Sequence, residues 1–478
     1  MAAKLNVTGT AVLGQSTATV TINDDEYNPG IIIFSSTAYS VNEGATNATI
    51  TVLRINGSSG TVSADFTTSD ATAIAPLDYL GTNGTISFLP GETSKTFNVR
   101  IIDDQVVDDG EVVNLTLSNP TGGALLAGSG AFGLLDPTFN VTGSGPTNLV
   151  NAVVLQPDGR VLIGGAFTSV SGVGRNRIAR LNSDGNLDTS FNPATGANGV
   201  VTAIARQANG QVLVGGTFTT MGTNVANRIA RLNANGSFDP AFSVGSGANG
   251  TVQSIVVQPD GLILIAGTFT TINGTARNRI ARLNPVDGSL DAGFDPGTGA
   301  DAAVNAIALQ SNGQIVIGGS FTTFATTNAA IRVARLNANG SFDANFTANV
   351  GDTVNAVAVQ VDGKIVIGGA FFTVGTTNIS RVARLNPTGS LDTGFNPGPA
   401  ALGTVNSLLI QPDNKIVVAG SFTMFNGISR NGIERLNPDG TRDVSFDPGA
   451  GASGAVNALA LQPDTKLILA GAVPGNLH

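Results

Sequence analysis

The 478-residue sequence contains no cysteine and no tryptophan, and its one histidine is the last residue, His478. The absence of cysteine excludes disulfide bonds, thiolate metal sites and cysteine nucleophiles. A single terminal histidine leaves no histidine-rich metal site, and the chain has no Gly-x-Ser-x-Gly turn of the kind that carries a catalytic serine. We therefore expect a protein that is not an enzyme.

Long apolar runs are also missing. No segment approaches the roughly 18 apolar residues that a membrane-spanning helix needs, so we predict no membrane span. The first residues, Met-Ala-Ala-Lys-Leu-Asn-Val, lack the apolar core of a signal peptide. We interpret the start as a truncation, because residues 1–26 resemble a fragment of a larger unit, as described below.

Basic residues are scarce in the first quarter of the chain. Residues 1–125 carry thirteen acidic and four basic residues, whereas the remainder carries twenty of each. Phosphate binding requires a basic surface. The charge distribution therefore argues against a nucleic acid partner.

What the sequence does contain is a repeat. The segment Leu162-Ile-Gly-Gly-Ala-Phe-Thr168 recurs six more times, the last copy being degraded, at intervals of 50 to 52 residues. The second glycine of the copies is Gly165, Gly216, Gly267, Gly319, Gly369, Gly420 and Gly471. A fixed period of about this size is typical of an array of one supersecondary unit, and Asp-Gly or Asn-Gly turns between alternating segments favour hairpins. We predict that residues 135–478 form a β-propeller.

The ends of the array predict how the ring closes. The last repeat stops before its Leu-Asp-x-x-Phe element, and the missing element stands alone at the front as Leu135-Asp-Pro-Thr-Phe139. We therefore expect seven blades, with the N-terminal segment closing the last one. The repeated pattern, which runs from Gln-Pro-Asp-Gly through Gly-Gly-x-Phe-Thr and Arg-Leu-Asn to Leu-Asp-x-x-Phe, resembles the delta-sixty repeats of bacterial secreted proteins. That resemblance implies a propeller and an exported protein, and it implies no particular ligand.

Residues 31–134 predict an antiparallel β-sandwich, because runs of alternating polarity are separated by turn signals every 8–12 residues. The runs are Ile31–Ser35, Ala48–Arg54, Ser63–Ser69, Gly84–Phe88, Thr96–Ile102 and Val112–Leu117. The fold class is thus all-β, a sandwich followed by a propeller.

Five motifs in this module resemble a Calx-beta domain, the calcium-binding sandwich of sodium/calcium exchangers, which is also repeated in bacterial surface proteins. They are Val41-Asn-Glu-Gly44, Ser69-Asp-Ala-Thr-Ala73, Leu77-Asp-Tyr79, Phe88-Leu-Pro-Gly-Glu92 and Ile102-Asp-Asp-Gln-Val-Val-Asp-Asp-Gly-Glu111 with Asn114-Leu-Thr-Leu117. Residues 1–26 end in an alternating strand and Asp24-Asp-Glu26, like the last strand of a preceding Calx-beta domain. This segment is either a truncation remnant or a donor strand that completes a sandwich in a neighbouring molecule.

The resemblance implies a Ca²⁺ site. Its matching positions are Glu43, Asp70, Asp103, Asp104, Asp108, Glu111 and Asp136. Hard divalent ions take six to eight oxygen ligands, and clustered carboxylates repel one another unless a cation lies between them. Two positions depart from the family pattern: Gln105 replaces an aspartate, and the acidic triplet at the last strand is reduced to Asp136. The alternative is a solvated acidic loop without an ion.

The array contains further recurrent residues that could carry function. Arginines recur at Arg180, Arg231, Arg282, Arg335, Arg384 and Arg435, and a second set at Arg177, Arg228, Arg279, Arg332 and Arg381. They could line a pore for an anionic glycan, but the equally regular aspartates favour ion pairs within the scaffold; these are Asp188, Asp239, Asp291, Asp343, Asp392 and Asp443. The Gly-Gly pairs precede strand residues rather than a helix, so we expect close blade packing and no phosphate loop. Four acids occur less regularly, and nothing in the sequence marks any two of them as a catalytic pair; they are Asp295, Asp301, Asp352 and Asp447.

These features predict a non-catalytic, calcium-binding scaffold or adhesion protein of the bacterial cell surface or extracellular matrix. Its expected partners are a protein or a polysaccharide, with self-association through residues 1–26 as a filament-forming alternative. A glycan-active propeller enzyme is the second alternative.

Overall fold

The computed structural model describes residues 29–36, 39–55, 57–103, 110–126, 139, 145–326, 330–379, 381–398, 401–446, 448 and 451–472. These residues form strands and turns, and no helix among them is long and apolar enough to cross a membrane. The chain divides into two compact units, residues 1–129 and 130–478. The all-β fold class is confirmed.

The first unit contains two sheets. Its strands are β1 (Ile31–Phe34), β2 (Asn47–Ile55), β3 (Val62–Asp70), β4 (Asn83–Phe88), β5 (Ser94–Arg100), β6 (Val113–Thr121) and β7 (Leu125–Leu126). One sheet has the order β5-β2-β1-β7 and the other β4-β3-β6. All pairs are antiparallel except β1 with β7. Each of the six alternating runs lies on one of the first six strands, and β7 is the strand that the pattern did not predict.

The core of the sandwich lies between these sheets because alternate side chains of each strand point inward. Val52 of β2 packs with Val62 and Ala64 of β3, and all three are buried. Arg54 is only 1% exposed, and its guanidinium donates to the carbonyls of Pro29, Ser59, Gly60 and Leu89. This buried arginine ties together the loops at one end of the sandwich.

The second unit repeats one short sheet. In chain order its first three repeats contain β8 (Val150–Leu155), β9 (Val161–Gly165), β10 (Ser169–Val170), β11 (Val173–Gly174) and β12 (Ile178–Leu181); β13 (Val201–Arg206), β14 (Val212–Gly216), β15 (Thr220–Met221), β16 (Asn224–Val225) and β17 (Ile229–Leu232); and β18 (Val252–Val257), β19 (Ile263–Gly267), β20 (Thr271–Ile272), β21 (Thr275–Ala276) and β22 (Ile280–Leu283). The later repeats contain β23 (Val304–Leu309), β24 (Ile315–Gly319), β25 (Ala330–Ile331) and β26 (Val333–Leu336); β27 (Ala348–Asn349), β28 (Val354–Val359), β29 (Ile365–Gly369), β30 (Thr373–Val374), β31 (Thr377–Asn378) and β32 (Val382–Leu385); β33 (Ala401–Leu402), β34 (Val405–Ile410), β35 (Ile416–Gly420), β36 (Met424–Phe425), β37 (Ile428–Ser429) and β38 (Ile433–Leu436); and β39 (Val456–Leu461) and β40 (Leu467–Gly471).

The longer strands of each repeat form an antiparallel sheet, which we call a blade. Blades 1 to 6 have three such strands, in the orders β8-β9-β12, β13-β14-β17, β18-β19-β22, β23-β24-β26, β28-β29-β32 and β34-β35-β38. Blade 7 has two strands, β39 and β40, within the described residues. The first strand of each blade contacts the first strand of the next, and β39 of blade 7 contacts β8 of blade 1.

A β-bulge near the start of each first strand links neighbouring blades. The bulged residues are Asn151, Thr202, Gln253, Asn305, Asn355, Asn406 and Asn457. Five of them donate to a carbonyl of the following blade, as Asn305 Nδ2 does to Val354 O at 3.1 Å. Asn457 Nδ2 donates to Asn151 Oδ1 at 3.3 Å, which joins blade 7 to blade 1.

The Gly-Gly pairs allow this close packing, as the sequence predicted. A Cβ on Gly164 would lie 2.8 Å from Ile204 Cδ1 of the next blade, and one on Gly165 would lie 2.9 Å from the carbonyl carbon of Leu149. Phe167 is fully buried against residues of blades 1 and 7. Glycine and phenylalanine together therefore fit one blade against the next.

The closing element Leu135–Phe139 is described only at its last residue. Phe139 packs against a cluster that includes Val161 of blade 1 and Ile468 of blade 7. The corresponding Phe191 packs in the same way between blades 1 and 2. Residues 135–138 lie outside the described part of the chain, so the N-terminal closing strand stays a prediction.

Candidate metal centre

Four strand ends meet at one end of the sandwich. The pairing of Asn47 with Arg100 and of Asp70 with Val113 brings the starts of β2 and β6 beside the ends of β5 and β3. Three loops follow from these ends: the turn before β2, the loop of residues 71–82 and the segment of residues 101–112. The turn before β2 and the segment of residues 101–112 carry acidic residues that the sequence assigned to the metal site, and Asp70 of that set is the last residue of β3, directly before the loop of residues 71–82.

Backbone hydrogen bonds join these loops. Ile101 N donates to Thr46 O at 3.1 Å, and Ile102 N donates to Asp78 O at 2.9 Å. Thr72 N donates to Val112 O at 3.1 Å. The loops are therefore held at defined distances before any ion is considered.

Three described acids of the predicted set lie on these loops, and the fourth, Asp70, ends β3. Glu43 occupies the turn before β2, and a Cβ on the neighbouring Gly44 would lie 3.9 Å from Asp103 Oδ2, which places the Asp103 carboxylate at that turn. Glu111 precedes Val112 and is exposed. Asp104, Gln105, Asp108 and Asp136 lie outside the described residues.

Asp70 is the best-defined member of the set. Its Oδ1 accepts hydrogen bonds from Ala75 N at 3.0 Å and from the Tyr79 hydroxyl at 2.7 Å. The Ala75 N–H, and then the Tyr79 hydroxyl, lower the pKa of Asp70 below its ordinary value. Asp70 is therefore charged at neutral pH and can attract a cation.

The donor chemistry fits calcium. Carboxylate oxygens without imidazole or thiolate suit a hard cation such as Ca²⁺ or Mg²⁺ rather than Zn²⁺. Within the part of the chain that the structure describes, no three acidic side chains lie together closely enough to hold an ion. A complete calcium shell of six to eight oxygens would thus draw on Asp104 and Asp108 as well.

In the propeller, the repeated arginines pair with the repeated aspartates, which confirms the scaffold interpretation. In each of blades 1 to 6 the arginine Nε donates to the aspartate Oδ2 at 2.7–2.8 Å. The guanidinium also lies 4.7–5.0 Å from the ring centre of the phenylalanine that ends the repeat. In blades 1 to 5 its Nη1 donates to a turn carbonyl of the next blade, as Arg180 does to Ala234 O at 2.7 Å. These cations are engaged in packing and do not line a pore.

The second arginine set has a different role. Arg177, Arg228, Arg279, Arg332 and Arg381 all adopt positive φ angles of 67–70°. At the same point blade 6 has Gly432, with φ 69°, and glycine takes this conformation without strain. Arg177 Nη1 donates to Ala197 O of the next blade at 2.8 Å, whereas the Nη1 atoms of Arg279, Arg332 and Arg381 donate to carbonyls of their own blade.

Blade 6 departs from the repeat in a way that the sequence analysis missed. Glu434 stands where the other complete blades have alanine and is fully buried, with Oε2 3.2 Å from Arg430 Nε and 3.0 Å from Arg442 Nε. Arg442 stands where the others have leucine or phenylalanine. Aligning the repeats residue by residue would have shown both exceptions.

The irregular acids cap turns. Asp301 accepts from Thr322 N at 2.8 Å and Thr323 N at 3.1 Å, and Asp295 accepts from Gly297 N at 3.0 Å. Asp352 accepts from Thr353 N at 2.6 Å. Asp447 lies outside the described residues. Capping of turns therefore explains the presence of the three irregular acids that the structure describes.

Comparison with known families assigns both units. Residues 24–138 match the Calx-beta domain, and six segments match the DUF5122 beta-propeller, a domain of unknown function. These segments are residues 156–191, 207–242, 258–294, 310–346, 360–395 and 411–446.

Curated relatives match part of the chain. Sodium/calcium exchanger 1 of Felis catus is 42% identical over 89 residues, which is 18% of this chain and 9% of the exchanger. Integrin beta-4 of Rattus norvegicus is 36% identical, over 25% of this chain and 7% of the integrin. Sodium/calcium exchanger Calx of Drosophila melanogaster is 31% identical, over 25% of this chain and 14% of the exchanger. The chain thus spans only a small part of these relatives.

Solved structures resemble parts of the chain. The apo form of the Calx CBD1 domain has a TM-score of 0.20 at 33% identity, over 20% of this chain and 86% of that chain. The WD40 beta propeller domain of Doa1 has a TM-score of 0.47 at 15% identity, over 70% of this chain and 93% of that chain. With the family matches on both units, the chain is a Calx-beta domain followed by a six-repeat beta-propeller region of the DUF5122 type.

Proposed function

We propose that the protein is a non-catalytic calcium-binding scaffold. The sandwich would bind Ca²⁺ at its loop end, and the propeller would present a surface to a protein or polysaccharide. The observation that carries this proposal is that backbone hydrogen bonds join the loops beside Glu43, Asp70, Asp103 and Glu111 at one end of a sandwich that matches the Calx-beta domain.

The acidic residues at this end of the sandwich explain why a bound cation would affect its structure. Glu43, Asp70, Asp103 and Glu111 would hold Ca²⁺ together with Asp104, Asp108 and Asp136. Bound Ca²⁺ would supply positive charge between carboxylates that otherwise repel one another. Because the loops are already joined by backbone hydrogen bonds, the ion would stiffen an existing arrangement. We expect an affinity of roughly 0.1–1 mM, as in extracellular calcium modules.

A scaffold role also suits the propeller. The arginine–aspartate pairs and the described irregular acids are engaged by packing and turns, and a residue that every blade requires serves the fold rather than one site. We propose that the protein acts outside a bacterial cell, at its surface or in the matrix. The resemblance of the array to secreted bacterial repeats supports this location.

Isothermal titration with calcium chloride tests the proposal. We expect millimolar or tighter binding by the wild-type protein and its loss in Asp70→Asn, which removes one ligand charge. Asp65→Asn is the matched control, because Asp65 lies on the same strand and is bonded to Thr85 Oγ1 at 2.6 Å and Asn119 Nδ2 at 3.0 Å. Equal binding by the wild type and Asp70→Asn, or no binding by the wild type, would overturn the proposal.

A further inference from the structure

Tyr79 connects the candidate metal site to the core of the sandwich. The residue is 1% exposed and packs with Ile50, Ala73 and Val99. Its backbone pairs with that of Ile101 in an isolated β-bridge. The ring is therefore fixed in the core, and only the hydroxyl reaches the loop end.

The hydroxyl orients a single carboxylate. It donates to Asp70 Oδ1 at 2.7 Å, and Ala75 N donates to the same oxygen at 3.0 Å. Two donors on one oxygen set the rotation of the carboxylate. Asp70 Oδ2 accepts no hydrogen bond from the described residues, so it is the oxygen available to a cation.

The same segment positions the second acidic loop. Asp78 O accepts from Ile102 N at 2.9 Å, directly before Asp103. Asp78 Oδ2 accepts from Ile74 N at 2.7 Å, which holds the intervening loop in shape. Tyr79 and Asp78 thus help to fix the position of Asp70, at the end of β3, relative to Asp103, which follows β5.

We propose that Tyr79 is a positioning residue for the calcium site, and this inference rests on the proposed function. Groups that orient metal ligands through hydrogen bonds typically change metal affinity by about 10–100-fold when they are removed. The Tyr79 hydroxyl has this relation to Asp70. Tyr79 does not itself contact the ion.

Tyr79→Phe tests the inference, because it keeps the ring in the core and removes only the hydroxyl. We expect calcium affinity, measured by isothermal titration with calcium chloride, to fall by about tenfold or more. The control is Tyr39→Phe, whose hydroxyl donates to Thr51 O at 2.7 Å and touches no acid of the set. Its affinity should equal that of the wild type. In an Asp70→Asn background, Tyr79→Phe should cause no further loss of affinity.

A spectroscopic measurement separates positioning from a general effect on folding. In Tyr27→Phe/Tyr39→Phe the only remaining tyrosine is Tyr79. Calcium should shift the ultraviolet absorption band of Tyr79. The bound cation changes the electrostatic environment of the Asp70 carboxylate, to which the Tyr79 hydroxyl donates.

The outcomes distinguish the two proposals. Absence of binding by the wild type would overturn the calcium site itself. If the wild type binds calcium, then an unshifted tyrosine band, or equal affinity in a folded Tyr79→Phe, would overturn the role of Tyr79 alone.

Discussion

At the scale of single residues, buried charge is tolerated because each charged group has several partners. Asp188 accepts from Arg180 Nε at 2.7 Å and from the Ser190 hydroxyl at 2.6 Å. Burial is the largest influence on its pKa and raises it, but the bonds from Ser190 and Arg180 outweigh burial and hold the pKa below 3.8. The pKa values of Asp291, Asp343, Asp392 and Asp443 are lowered in the same way.

This pattern predicts that the propeller is less stable in acid. A carboxyl whose pKa is depressed in the folded state contributes stability that is complete above its unfolded value, about 3.9. That contribution is lost as the pH falls below about 4 and through the depressed folded values. We expect the free energy of unfolding, measured by denaturant titration, to decline below pH 4.

Asp188→Asn should flatten that decline, since one of the contributing carboxyls is gone. Asp260→Asn provides the control, because Asp260 is exposed and its Oδ1 accepts a hydrogen bond from Leu262 N at 3.0 Å. A free energy of unfolding that stays constant between about pH 5 and pH 2 would contradict this account of the pairs.

At the scale of single elements, the fold was largely predictable and the exceptions have physical reasons. Alternation and turn residues located the six main sandwich strands, but β7 is two residues long and follows no pattern that a sequence shows. The repeat predicted the arginine–aspartate pairs from equal recurrence. The bulges at Asn151 and its equivalents were missed, because a bulge depends on the register between two strands.

Blade 6 offers a test of how one strand adapts to a changed residue. Glu434→Ala leaves Arg442 in a mostly buried place without its carboxylate partner, and removing one member of a buried pair costs about 3–5 kcal/mol. We expect the double variant Glu434→Ala/Arg442→Leu to recover most of this loss, because the other complete blades carry alanine with leucine or phenylalanine at these positions.

Denaturant unfolding of the wild type and of both variants measures these differences in the free energy of unfolding. Equal destabilisation of Glu434→Ala and of the double variant would contradict this expectation. Arg442→Leu alone is the second single variant, and it completes the double-mutant cycle.

At the scale of the whole molecule, the candidate site was predicted in part. The motif order placed Glu43, Asp70, Asp103 and Glu111 on three loops, and the strand register shows that these loops share one end of the sandwich. The sequence could not show that Tyr79 orients Asp70, because that contact depends on the path of residues 71–82. As calcium ligands, all seven residues of the predicted set remain predictions.

The contact between blades 1 and 7 predicts that Phe139 stabilises the propeller from outside the seven repeats. Phe139→Ala should lower the denaturant midpoint, because the ring packs between blades 1 and 7. Phe191→Ala, at the corresponding place between blades 1 and 2, should cost about 3–5 kcal/mol, and Phe139→Ala somewhat less since its ring is only partly buried. An unchanged midpoint in Phe139→Ala would mean that the two end blades pack without this segment.

The central claim is that the sandwich binds calcium, and the tyrosines provide the most direct measurement. Tyr27, Tyr39 and Tyr79 all precede the propeller, and the chain has no tryptophan. Tyrosine fluorescence therefore follows thermal unfolding of the sandwich alone. The protein would be melted in excess chelator and then with calcium rising to about 10 mM, in the range needed to saturate an extracellular-type site.

Calcium at about a hundred times its dissociation constant should stabilise the sandwich by roughly 2.7 kcal/mol. We expect the melting temperature to rise with calcium in the wild type and to stay constant in Asp103→Ala. A melting temperature that does not respond to calcium in the wild type would contradict the claim and leave the sandwich as a spacer without an ion.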